Sequence, residues 1–235
     1  MNAARFFSFR LAPLAAPLVA PVAALLALAS TPALAQLKIT EVSAWSSGNS
    51  AYGADWFELS NLGATAINLS GWTMDDNSNG TAKVALTGIS SIAAGETVIF
   101  TEKEASASFL STWFGAQAPV GLQIGLYKGA GVGLSTGGDA VNVFNASGVL
   151  QARVEFGVSS TAAPLQTFDN AAGLNNALIS QLSMVGVNGA FLSADGQEIG
   201  SPGLIAAAPV PEPESYALLL AGLGLLAAVA RKRQR

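Results

Sequence analysis

The sequence predicts an all-β fold, a sandwich of antiparallel sheets, with one short helix and a C-terminal transmembrane helix. Three observations carry the β prediction. The middle of the chain is a succession of short runs rich in Val, Ile, Leu and aromatic residues. Turn signals such as Asn79-Gly80, Gly137-Gly138-Asp139 and Ser147-Gly148 separate those runs. No heptad or sustained helical period runs through the region. The sandwich falls in residues 36–205, enough chain for a single core of ordinary size.

In order, the candidate strands are Leu37–Val42, Trp56–Leu62, Ala66–Leu69, Trp72–Met74, Thr97–Phe100, Ala140–Phe144, Val149–Phe156 and Leu178–Met184. A period of two puts Trp56 and Glu58 on one face and Phe57 and Leu59 on the other, so Phe57 and Leu59 are the candidate core residues. Trp72 follows Gly71, where a strand can bend and take in a large aromatic. Glu58, if buried, needs hydrogen bonds or a cation such as Lys38 or Lys83. We read it as structural rather than catalytic. One helix interrupts the strands. Thr101-Glu102-Lys103-Glu104 has the form of a capping box, Phe109, Trp113 and Phe114 form an apolar stripe, and Gly115 suits the helix end. This helix is expected to cap an open end of the sandwich.

Both ends of the chain read as addresses. Residues 1–35 have the form of a secretory signal peptide: Arg5 and Arg10, a Leu/Ala/Val-rich stretch, then Ala33-Leu34-Ala35 before Gln36 as the cleavage site. Residues 206–214 form a linker containing Pro211-Glu212-Pro213. Residues 215–230 are almost wholly apolar, and residues 231–235 are the basic cluster Arg231-Lys232-Arg233-Gln234-Arg235. A 16-residue helix is about 24 Å long, short of a roughly 30 Å hydrocarbon core, and snorkelling Arg and Lys side chains make up the difference. The basic cluster stays cytoplasmic, so the domain faces the periplasm.

The order Pro-Glu-Pro, short Leu/Ala/Gly helix and terminal Arg/Lys cluster resembles the PEP-CTERM sorting signal of Gram-negative bacteria. The resemblance implies processing near Pro211–Pro213 by an exosortase, a membrane-embedded cysteine transpeptidase, and an association with exopolysaccharide and the cell surface. A second resemblance lies in the middle of the chain. Leu37–Val42, Asp55-Trp56-Phe57-Glu58-Leu59-Ser60-Asn61 and Leu69-Ser70-Gly71-Trp72-Thr73-Met74-Asp75-Asp76 are similar to the first half of a lamin tail domain. Ile92–Ile99, Gly133–Val141 and Ser201-Pro202-Gly203 resemble its later elements, with Thr136 where Asn is usual. The resemblance implies an immunoglobulin-like sandwich that serves as an interaction module.

Composition narrows the chemistry. The chain of 235 residues is 51% hydrophobic and 11% charged, with 25 Gly, 10 Pro, no Cys and no His; about 25% charged is usual. Without His or Cys there is no Ser-His-Asp triad, no Cys nucleophile and no zinc site of the usual kind. Disulfides are likewise excluded. Residues 36–210 hold five Lys or Arg against thirteen Asp or Glu, a net charge of −8, which disfavours nucleic acid and anionic lipid as partners. Asp75 and Asp76 are adjacent and therefore poor as an acid/base pair. With Asn77 they are a weak calcium candidate that lacks the EF-hand spacing; the alternative is a solvated Asx turn. The Gly129–Gly138 stretch lacks the Gly-Lys-Ser/Thr ending of a phosphate loop.

The expected function is therefore that of an exported, non-enzymatic surface or matrix protein with no cofactor. It passes through the secretion machinery and transiently through the inner membrane, meets an exosortase, and binds exopolysaccharide or other surface proteins. Trp45, Tyr52 and Tyr127 are candidates for stacking on sugars, although placement in the core or scattered on the surface suits each of them better. The alternatives are a permanently membrane-anchored periplasmic binding module and a secreted carboxylate- or metal-dependent hydrolase. For the hydrolase, signal and tail removal leaves room for the sandwich alone.

Overall fold

Phe57 and Leu59 point one way and Trp56 and Glu58 the other, as a period of two requires, yet every residue from Trp56 to Asn61 is buried. The strand is covered on both faces. The computed structural model describes residues 37–77, 83–129, 132–160, 162–204 and 220–224. Strands β1 (Leu37–Ser43), β2 (Trp56–Asn61), β3 (Ile67–Asn68), β4 (Thr73–Asp75), β5 (Val84–Thr87), β6 (Ser91–Ile92) and β7 (Thr97–Thr101) precede helix α1 (Ser106–Phe114). After it come β8 (Gln123–Tyr127), β9 (Asp139–Phe144), β10 (Leu150–Phe156), β11 (Leu165–Gln166), β12 (Phe168–Asp169), β13 (Ala177–Ile179), β14 (Phe191–Leu192) and β15 (Glu198–Gly200). The fold is mostly β-sheet with one short helix, in keeping with an immunoglobulin-like sandwich.

Ten strands are hydrogen-bonded in the order β12-β1-β2-β7-β8-β5-β4-β9-β10-β13. Strand β5 is the corner: Val84 and Ala85 pair with β4, whereas Leu86 and Thr87 pair with β8. The sheet doubles over there, and its two halves close on a core that includes Ile39, Val42, Phe57, Leu59, Val98 and Phe100 from one side. Met74, Val141, Val143, Ala152, Val154 and Phe156 come from the other. Burial of these side chains, at roughly 25 cal/mol per Å² of apolar surface, is the main favourable term in folding. The two outer strands of the sheet, β12 and β13, belong to one segment, and an isolated bridge from Phe168 to Leu182 ties it to itself. Trp72 enters this core after Gly71, which sits at a φ of 75°.

The sandwich is not purely antiparallel. β7 pairs with β8 in parallel, and β10 with β13. Parallel neighbours need a crossover, and α1 lies within the connection from β7 to β8. The helix does not begin at the expected capping box. Thr101 is still strand, and its hydroxyl donates to the carbonyls of Lys103 and Gly125. Helix α1 starts at Ser106 with no side-chain cap from Ala105. Nor does it cover an open end of the sandwich: Phe109 and Trp113 pack with Tyr52, Ala54, Trp56 and Ile99, on the outward side of β2 and β7. Trp56 is wide and apolar, so that outer surface demands a cover.

The cleavage residues Ala33, Ala35 and Gln36 and the sorting residues Pro211, Glu212, Pro213, Arg231, Lys232 and Arg233 lie outside the described residues. So does most of the expected membrane helix; residues 220–224 are helical. No helix among the described residues is long and apolar enough to cross a membrane.

Gly125 marks the tightest backbone approach in the β5–β8–β7 region. A Cβ there would lie 2.5 Å from the Thr87 carbonyl oxygen and 2.7 Å from Phe100 Cε1. Gly125→Ala is expected to destabilise the fold by roughly 2–3 kcal/mol through overpacking. Gly157, whose Cβ would meet nothing within 4 Å, should accept Ala with little change. Urea unfolding of the two variants checks this, and equal midpoints would contradict it.

Candidate functional site

The β1–β2 ladder carries an irregularity between Ile39 and Glu41, so that Glu41 and not Thr40 stands opposite Glu58. A bulge adds one residue to the alternation. Ile39 and Val42 can then both enter the core, while Thr40 and Glu41 both turn outward to the polar groups described next. Without the bulge, one of the two polar side chains would enter the apolar core.

This outward face is sealed. Glu41 and Glu58 are 0% and 1% exposed. Glu41 accepts hydrogen bonds from the Thr167 hydroxyl, from Ser201 N–H at 2.8 Å and from the Ser201 hydroxyl at 3.2 Å. Glu58 accepts from the Thr40 hydroxyl at 2.6 Å and from Gly203 N–H at 2.7 Å. The hydroxyls of Thr40, Ser60 and Thr97 continue the network at 2.8 and 2.7 Å. Neither Lys38 nor Lys83, the expected cation partners, reaches Glu58; Lys83 Nζ stands 3.3 Å above the Phe144 ring. The cover is the segment from Leu165 onward, with its three-stranded sheet β11-β15-β14. Gly200 lets it close: a Cβ there would lie 2.5 Å from Glu41 Oε1 and 2.9 Å from the Trp113 ring.

Beside this network the Tyr52 hydroxyl gathers four groups. It donates to Glu198 Oε2 at 2.9 Å, receives the indole N–H groups of Trp56 and Trp113 at 2.9 and 3.3 Å, and meets the Ser46 hydroxyl at 2.8 Å. Trp45 is buried too, its indole donating to the Gln166 carbonyl at 2.8 Å. Tyr127 is wholly enclosed, and its hydroxyl has no partner among the described residues. None of these three aromatics offers a face for sugar stacking.

Burial raises the carboxyls of this region. Glu41 is pushed up to about 7 by desolvation, with the Asp169 charge adding and the Thr167 and Ser201 hydrogen bonds opposing. Glu58 is held well above its ordinary value by desolvation and then by Glu41. Desolvation lifts Asp55 to about 7 and Glu198 to about 8. Acids poised near neutrality are what a catalytic centre uses, but no substrate reaches side chains sealed under a second layer. What Glu41 and Glu58 can do in this arrangement is hold that layer.

Asp75 and Asp76 are buried and only Asn77 is exposed, so the trio is not a solvated turn. Desolvation and the Asp76 charge raise Asp75. The Asn77 N–H donates to Asp139 Oδ1 at 2.8 Å, and Asn142 Nδ2 donates to the Asp76 carbonyl at 2.7 Å. Among the described residues no three His, Cys, Asp or Glu side chains converge on a metal position.

One open cleft, of about 340 Å³, is lined by Leu37, Lys38, Ile67, Trp72, Gln151 and Asn175, among others. It lies where the beginning of β1 meets the beginning of β10. Lys38, expected to serve Glu58, instead lines this cleft. A lone lysine in a strand gave the sequence no means of indicating that.

The model of the lamin tail domain matches residues 30–157, more than half of the chain. The chain belongs to the lamin tail domain family. The family match ends at Gly157, before the covering segment, so the partners of Glu41 and Glu58 at Thr167, Ser201 and Gly203 all lie beyond it. A PEP-CTERM protein-sorting motif matches residues 209–234. Among curated proteins, none matches the chain.

Two predictions follow from this geometry. A carboxyl with a raised folded pKa keeps its proton where the unfolded chain has lost it. Stability therefore falls as pH rises from about 4.5 through the folded values near 7 and 8. Glu41 alone should cost about 3 kcal/mol between pH 5 and pH 9, measured by urea unfolding, and Glu41→Gln should make the profile less steep, leaving the contributions of Asp55, Glu58 and Glu198. Stability that rises with pH over this window would refute the assignment. The second prediction contrasts two tyrosines. Tyr52→Phe strands Glu198 and two indole N–H groups and should cost on the order of 3 kcal/mol, whereas Tyr127→Phe removes an unpartnered hydroxyl and should cost under about 1 kcal/mol. Equal losses in thermal melts would contradict this pairing.

Proposed function

We propose that the protein is an exported interaction module that acts by binding and not by turnover, and that it is delivered to the cell surface or extracellular matrix through its C-terminal signal. The observation that carries this reading is the succession, in one chain, of a lamin tail domain matched over residues 30–157 and a PEP-CTERM motif matched over residues 209–234. In this reading residues 1–35 direct secretion and are removed after Ala35. Residues 215–230 cross the inner membrane with Arg231–Arg235 on the cytoplasmic side, and an exosortase processes the chain near Pro211–Pro213. The helix is a temporary hold. The sealed carboxylates support a binding role, because Glu41 and Glu58 are spent on holding layers together.

Intact-mass and terminal-peptide analysis of the protein from its host, after separation of membrane and extracellular fractions, tests the route. The expected product begins at Gln36, ends near Pro211–Pro213 and is found outside the inner membrane. An intact Arg231–Arg235 tail in the membrane fraction would make it a permanently anchored periplasmic module, and an intact tail on extracellular protein would overturn exosortase processing.

A further inference from the structure

The cleft at the beginning of β1 and β10 has a lining that calls for a particular ligand. Its apolar lining comes from Leu37, Ile67 and Trp72, which are 7%, 8% and 8% exposed. Three polar side chains stand around it with bonding capacity left over. Lys38 Nζ makes neither an ion pair nor a hydrogen bond among the described residues; the only ion pair among them is Arg153–Glu155. Asn175 Oδ1 is engaged by the N–H groups of Arg153 and Asn176 at 2.8 and 3.2 Å, so the carbonyl end is fixed and its NH₂ is left to donate. Gln151 Nε2 is used locally on the Val149 and Leu150 carbonyls, and its Oε1 is left to accept. No Asp or Glu lines the cleft among the described residues.

The lysine is held in place for this. A Cβ on Gly173 would stand 3.3 Å from Lys38 Cγ and 3.6 Å from Leu62 Cδ1. The loop before β13 therefore closes over the aliphatic stem of Lys38, restricting a side chain that otherwise carries considerable rotamer entropy. One ammonium, one amide donor and one amide acceptor beside an apolar lining match a pyranose ring that carries a carboxylate. The ring's C–H face meets Leu37, Ile67 and Trp72. Its carboxylate meets Lys38, and its hydroxyls meet Asn175 and Gln151. The volume, about 340 Å³, is at the small end of the roughly 300–1,000 Å³ of ligand sites and suits one or two rings. A peptide is the alternative occupant: β12 pairs with β1 only at Glu41 and Val42, and β13 with β10 only from Val154 to Phe156, so neither covers the cleft end of its strand, and the tetraglutamate probe below distinguishes the two.

We infer that this cleft binds an acidic sugar unit, a uronate, of a surface or matrix glycan. The inference rests on the binding role proposed above and gives it a ligand class, but does not depend on the sorting route. Asn175 lies beyond the family match and the other lining residues named here lie within it, so the site combines the family scaffold with this chain's own extension.

The test uses the protein purified from its host, from whichever fraction holds it, titrated calorimetrically with tetragalacturonate. Cellotetraose and a tetraglutamate peptide serve as the neutral and the non-sugar probes. Tetragalacturonate is expected to bind at least tenfold more tightly than either. Lys38→Met should weaken it tenfold or more, and Gln151→Ala severalfold, while Lys128→Met, an exposed lysine outside the cleft lining, should leave it unchanged. Thermal melts show that each variant is folded; should Lys38→Met fail to fold, Lys38→Gln takes its place. Undetectable binding of tetragalacturonate, equal binding of tetraglutamate or cellotetraose, or full affinity in the folded Lys38 variant would each overturn the inference. Because the readout is binding, this failure is distinct from a failure of the terminal mapping.

Discussion

A carboxyl group taken out of water without a cation must find its stabilisation in N–H and O–H donors or in its own proton. Glu41 and Glu58 face each other across the first strand pair in that condition, and much of the molecule is arranged around them. The bulge in β1 brings Glu41 to the same side as Glu58. The layer from Leu165 to Gly203 supplies the Thr167 hydroxyl and the backbone N–H groups of Ser201 and Gly203. Gly200 leaves the space in which Glu41 sits. The same glycine borders Trp113, so the polar network and the aromatic cluster under α1 share a boundary and are packed as one outer layer. The turn from Ser201 to Leu204 is thereby fastened to the second strand through the Gly203–Glu58 hydrogen bond.

What was legible in the sequence followed from period and size. Phe57 and Leu59 against Trp56 and Glu58 read off the alternation, and Trp72, Phe109 and Trp113 were large enough to require burial wherever their elements lay. The eight expected strands are present, the last of them ending early at Ile179. Strand β8 escaped because Gly125 interrupts Gln123–Tyr127, and β6, β11, β12 and β14 have two residues each, too few to show a period. Thr101 misled because Thr-x-x-Glu is also compatible with a strand end, where the Thr hydroxyl serves nearby carbonyls instead of a helix.

The site was less legible for a related reason. Glu58 was visible as an acid needing partners, but one of them is the Thr40 hydroxyl of the neighbouring strand, and the other, the Gly203 backbone N–H, arrives from far along the chain with no signature in the sequence. A cation therefore seemed necessary, and Lys38 lay closest. Glu41 carried no signal, since a bulge cannot be read from Ile-Thr-Glu-Val. Freed from Glu58, Lys38 is left over, and in a domain with five cations a fixed, unpaired one in a cleft is informative.

Charge links these two features. The formal count of −8 for residues 36–210 treats every carboxyl as ionised, but Glu41, Asp55 and Glu198 are raised to about 7 or 8, and Glu58 well above its ordinary value. At neutral pH the folded domain is therefore less anionic than its composition states, and the protons are retained in the interior, where a full charge would cost most. An anionic ligand approaching Lys38 meets a weaker opposing field than the sequence implies, and long-range repulsion is screened over about 10 Å at 0.1 M salt. An acidic composition and a cleft selective for a carboxylate are compatible because the acids that secure the layers and the cation that faces solvent are in different places.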